Sequence, residues 1–154
     1  MSRFRIDVAD LLRQPGARRH VHLTEPMEGL TGSAARVEDP VTVDVVLERI
    51  SEGIVARGTV SASWAADCSR CLGPLTRPVS VHVDELFEPT PVPDETYALE
   101  GHELDLEQLI RDAVLLELPL APVCDPPCRP VGLGAAETSR EVDPRWAALS
   151  ELEL

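Results

Sequence analysis

Hydrophobic and polar positions alternate most clearly in the middle of the chain. Val41, Val43, Val45 and Leu47 fall on every second position, with Thr42, Asp44 and Glu48 among the residues between. This is the period at which a strand buries one face. Ser51-Glu52-Gly53 predicts a turn in which Gly53 takes positive φ. The alternation resumes over residues 54–64, where Val60, Ala62 and Trp64 share a face, and over 75–87, with Val79, Val81 and Val83. The links are too short for crossover helices, so these strands form an antiparallel meander.

Around this centre the pattern is less regular. Residues 4–13 alternate loosely and suit either a strand or a short helix, ended by Gln14-Pro15-Gly16. His20 to Leu23 reads as a short strand. Residues 24–40 carry Pro26, Gly29, Gly32 and Pro40 and predict a loop, with room for a short strand around Leu30. Residues 88–101, with Pro89, Pro91 and Pro93, read as an acidic linker or mobile loop. A 3.6-residue period then runs through Leu106, Leu109, Ile110, Ala113 and Val114 and predicts one helix over 106–118. Asp105 is placed to cap it, with Gln108 completing a capping box, and Pro119 stops it. The expectation is an α+β fold: an antiparallel sheet able to curl toward a barrel, packed by one main helix. Residues 1–128 form the domain, and 129–154 a Pro/Gly-rich tail ending in a short helix. Trp146 and Leu149 lie on one face of that helix, placed to dock on the domain or to anchor a partner.

Composition narrows the function. The chain has 154 residues, 44% of them hydrophobic but only 3% aromatic, so Val, Leu, Ile and Ala must build the core. No apolar run is long enough to span a bilayer. The opening residues lack a signal-peptide stretch, which predicts a cytoplasmic protein with reduced cysteines. A net charge of −13 argues against simple binding of nucleic acid through phosphate neutralisation. The charge is uneven, however. Residues 1–20 carry Arg3, Arg5, Arg13, Arg18 and Arg19 against Asp7 and Asp10, whereas 84–125 hold twelve acids and only Arg111. One end can meet RNA while the acidic stretch faces water or a basic protein.

The cysteines form two pairs, Cys68-Ser69-Arg70-Cys71 in a turn between strands and Cys124-Asp125-Pro126-Pro127-Cys128 after the helix. Two such turns can supply four thiolates to one structural zinc ion, whose binding would contribute folding free energy. Arg70 can offset the surplus negative charge. Unligated thiols and a redox pair are the alternatives, the latter disfavoured because a redox C-x-x-C normally opens a helix in a βαβ unit. The other candidates are bland. His20 and His22 share a strand face and suit plain surface, a metal or RNA. Glu103, Asp105, Glu107 and Asp112 suit a solvated helix face. No nucleophile elbow, P-loop or H-E-x-x-H motif occurs, and no base-stacking aromatic ladder is visible.

Asp67-Cys68-Ser69-Arg70-Cys71-Leu72-Gly73-Pro74-Leu75 resembles the C-x-R-C-L-x-P-L signature of the YceD family, the large ribosomal RNA subunit accumulation proteins. Residues 104–124, ending Leu118-Pro119-Leu120-Ala121-Pro122-Val123-Cys124, resemble that family's helix and second cysteine block. Residues 7–18 and 143–149 resemble actinobacterial members. Family members usually continue into G-L-C-x-x-C-G, where this chain has Gly132-Leu133-Gly134-Ala135-Ala136-Glu137. Either Cys68, Cys71, Cys124 and Cys128 are the whole ligand set here, or metal is dispensable. The resemblance implies a non-catalytic factor in ribosomal RNA accumulation or processing and in large-subunit assembly. The RNA contacts expected are Arg13, Arg18, Arg19 and His20, extended by Arg70 and Arg77. The second reading is a module that shields a basic ribosomal protein with the acidic stretch, without touching RNA.

Overall fold

The computed structural model describes residues 2–129 and 145. The central alternation becomes β4 (Val41–Arg49), β5 (Ile54–Asp67) and β6 (Pro74–Glu88), paired antiparallel in sequence order. β5 runs past Trp64 because Ala65, Ala66 and Asp67 still pair with Thr76, Leu75 and Pro74. Gly53 ends the β4–β5 turn, where its carbonyl accepts the Ile50 N–H at 3.0 Å. Its role differs from the expected one: it is not among the glycines with positive φ. A Cβ there would lie 2.0 Å from the Phe87 carbonyl oxygen, so the position requires closeness rather than backbone freedom.

The other strands widen this meander into one sheet. β1 is Arg5–Asp7, β2 is Arg18–Glu25, β3 is Ala35–Val37, β7 is Tyr97–Glu100 and β8 is Glu103–Asp105. The order is β1-β8-β7-β6-β5-β4-β2, with β3 on β5 beyond the end of β4. Only the β6–β7 pair is parallel among the described strands. Residues 4–13 hold both of the expected alternatives, β1 and then the short helix α1 (Ala9–Leu12). The strand expected near Leu30 lies at Ala35–Val37 instead. Leu30 is itself a core residue whose carbonyl accepts the Val37 N–H at 2.8 Å. The supposed linker 88–101 contributes β7, held by the ladder to Phe87 and Glu88 and by Tyr97 stacking on Phe87 with centroids 5.2 Å apart. Four residues with one buried side chain, Leu99, are too few to show a period.

Helix α2 (Glu107–Glu117) lays Leu109, Ile110 and Val114 over β5 and β6. Asp105 accepts the Glu107 N–H at 2.9 Å, but the N-cap is Leu106 rather than Asp105 and Gln108 turns forward to Asp112, so the expected capping box does not form. Leu118 leaves the helix in an extended conformation, as the residue before Pro119 should. The inward positions of β4, β5 and β6 (Val43, Val45, Leu47, Ile54, Ala56, Val60, Val83, Phe87) complete the core.

The sheet curls into a half-barrel. Side chains close its seam: Arg19 on β2 donates to the Asp7 carbonyl at 2.6 Å and to Asp10 at 2.9 Å, and Arg3 pairs with Glu25 at 3.5 Å. Among the described residues no helix is long and apolar enough to cross a membrane. The expected terminal helix, with Trp146 and Leu149, lies outside the described residues.

Candidate metal centre

The first cysteine turn joins β5 to β6. The Leu72 N–H reaches back to the Cys68 carbonyl at 2.9 Å and the Cys68 N–H to the Gly73 carbonyl at 2.8 Å, a tight turn with Leu72 at φ 60°. The second turn is delivered by the segment leaving α2. It is tied to the first by Ser69 N–H donating to the Pro122 carbonyl at 2.7 Å, and to β6 by Arg77 donating to the Val123 carbonyl at 2.9 Å. These bonds bring Cys68, Cys71, Cys124 and Cys128 together across more than fifty residues of chain, with all four sulfurs within 4.8 Å of one another.

The nearest sulfurs are Cys68 with Cys128 at 3.4 Å and Cys71 with Cys124 at 3.5 Å. All four are free thiols, Cys68 buried and the others half-buried. Sulfurs bound at roughly 2.3 Å to one tetrahedral ion lie roughly 3.8 Å apart, so the set fits a metal of the zinc kind without large movement. Backbone groups favour the thiolate. Above all the Cys71 N–H, and then the Arg70 N–H at 3.4 Å from the sulfur, lower the Cys68 pKa to about 6. The Cys124 thiol is pushed up to about 12, chiefly by its contact with Cys71, and burial raises Cys128. One sulfur is thus primed to ionise while its neighbours resist a second negative charge, a repulsion that a divalent cation would remove. The close contacts cross between the two turns, so the C-x-x-C is not itself the close pair that a redox motif of that kind would use.

The residues expected to meet RNA do not form one surface. Alternation along β2 puts Arg18 and His20 on the exposed outer face and Arg19 on the other, within the seam. Arg18 pairs with Glu48 at 2.8 Å. Arg13 bonds the Ala9 carbonyl at the end of α1. Arg70 and Arg77 lie at the cysteine end. His20 and His22 both bond Asp44, at 2.6 and 3.1 Å, and His20 above all holds its pKa below the usual carboxylate range. Sequence could not supply Asp44 as their partner, because the β2–β4 register that sets it opposite His22 is a tertiary fact. Of the acidic residues expected on a helix face, Glu103 and Asp105 lie on β8 instead, where Glu103 pairs with Arg5; on α2, Glu107 pairs with Arg111 and Asp112 accepts the Tyr97 hydroxyl.

A half-barrel of β-strands with one packed helix and a four-cysteine cluster defines a small β-rich domain with a metal-ready centre. The chain belongs to the YceD family: the model described as "Large ribosomal RNA subunit accumulation protein YceD" matches residues 56–153, which include all four cysteines and α2. Uncharacterised proteins of Mycobacterium tuberculosis and Mycobacterium bovis are each 35% identical to it, over 96% of this chain and 80% of their own length. One from Mycobacterium leprae is 34% identical over 95% of this chain and 76% of its own. No solved structure matches.

Proposed function

We propose that this protein is a non-catalytic cytoplasmic factor for the accumulation or processing of large-subunit ribosomal RNA and for assembly of that subunit. The observation that carries the reading is the family match, which spans the cysteine cluster and α2. Cys68, Cys71, Cys124 and Cys128 hold one structural zinc ion, which fastens the post-helix segment to the β5–β6 turn. The metal adds folding free energy to bonds the backbone already makes there. Contact with ribosomal RNA falls to Arg13, Arg18 and His20 on one side and to Arg70 and Arg77 on the other. Arg19 is committed to the seam and contributes through the fold.

A second reading has one observation in its favour. Glu85, Asp94, Glu95 and Asp112 line a groove of about 500 Å³ beside Tyr97. Burial and the neighbouring Asp84 push the Glu85 carboxyl up. Such a groove suits a basic segment of a ribosomal protein. Crosslinking of the tagged protein in growing cells, followed by sequencing of the attached RNA, separates the two. Sharp enrichment of large-subunit ribosomal RNA supports the first reading. Background RNA alone, together with a salt-sensitive complex with a basic protein, supports the second.

A further inference from the structure

Among the described residues, two guanidinium groups make no hydrogen bond or ion pair, those of Arg70 and Arg129. Elsewhere the arginines are engaged: Arg18 with Glu48, Arg57 with Asp84, Arg77 with the Val123 carbonyl. The two unengaged cations sit on the two halves of the cysteine cluster, Arg70 between Cys68 and Cys71, and Arg129 directly after Cys128. The same turns carry apolar side chains in water: Leu72 is 66% exposed and Leu120 82%, with Val123 beside Cys124 at 42%.

Leu72 is the most telling of these. Its φ of 60° places it in the left-handed region, where glycine fits freely and a branched side chain costs roughly 1–3 kcal/mol. Glycine at 72 would close the same turn without strain and without exposing a leucine. Strain and exposure together are unfavourable for the isolated fold, so the side chain has a use outside it.

We infer that the two cysteine turns form a binding head for an unpaired nucleotide of RNA. The base lies against Leu72 and Val123, and Arg70 and Arg129 hold the adjoining phosphates or stack on the base. This rests on the ribosomal-RNA reading above. The net charge of −13 disfavours an anion over most of the surface, so an anionic partner is held only locally, by the two guanidinium groups left unengaged. A duplex offers phosphates but hides its base faces, so exposed aliphatic groups gain contact only from a base that is splayed out. Asp67 beside the first turn and Asp125 within the second keep the patch from being strongly basic, which confines the footprint to a nucleotide or two.

The test uses the purified full chain with one equivalent of zinc, and fluorescence anisotropy with a labelled mixed-sequence single-stranded RNA and its duplex. The single strand should bind more tightly than the duplex. Arg70→Ala and Arg129→Ala should each weaken it about fivefold at 0.1 M salt and reduce the salt slope by about 0.7. Leu72→Gly should lose the single-strand preference while its melting temperature stays level or rises, which a merely structural leucine would not do. Wild-type behaviour of all three variants, or equal binding of strand and duplex, overturns the inference. So does a Leu72-dependent complex with an acidic protein in the absence of RNA affinity. Crosslinking in cells separates the levels. If wild type and variants attach to large-subunit RNA equally, the head is wrong and the ribosomal reading stands. If wild type itself attaches to none, both fall.

Discussion

Each cysteine sulfur sits where the backbone has already committed it. The Cys71 and Arg70 N–H groups address Cys68, and the Ser69–Pro122 bond brings the second pair within reach. Cys124→Ser should therefore reduce bound zinc from one ion per chain to none and lower the melting temperature, as native mass spectrometry and calorimetry would show. A full equivalent of zinc in the variant would place the ligands elsewhere. The two half-sites were legible from spacing alone, because turns that hold two thiols are local. Which sulfurs approach closest was not, since it depends on how the segment after α2 lies across the β5–β6 turn. Gly53 shows the same divide. A turn glycine was legible, but its reason is the Phe87 carbonyl on another strand, 2.0 Å from where a Cβ would be. Gly53→Ala should destabilise the fold by about 1–3 kcal/mol in chemical denaturation. An unchanged midpoint would mean that β6 yields more readily than its paired ladder suggests.

Among the elements, those with sustained periods were legible: β4, β5, β6 and α2 follow from alternation and from the 3.6-residue stripe. The short edge elements were not. β7 reads as linker because its place comes from the Phe87–Tyr97 stack and a parallel pairing that no local pattern announces. Tyr97 offers a test of that docking. Burial first, and then the nearby Asp112 that accepts its hydroxyl, raise its pKa from 10.0 to about 12. The neutral phenol is the form the folded state favours. Its contribution is therefore full below pH 10 and is lost as pH rises toward 12. Denaturation midpoints should fall across that window, and Tyr97→Phe, which keeps the ring stack, should flatten the fall. An identical slope in the variant would place Tyr97 in solvent.

Over the whole molecule, charge is unevenly distributed. The acidic run lies along β6, β7, β8 and α2, whereas the cysteine turns carry the guanidinium groups left unengaged. A basic N-terminal arm was legible as a charge count. The fold divides it, because β-alternation sends Arg18 and Arg19 to opposite faces and Arg19 into the seam. Depletion of the protein in growing cells, with the ratio of large- to small-subunit ribosomal RNA measured over time, shows whether the large subunit depends on it. The ratio should fall and the wild-type gene should restore it, whereas the Cys124→Ser variant should restore it poorly. An unchanged ratio in fully depleted cells would contradict the ribosomal reading.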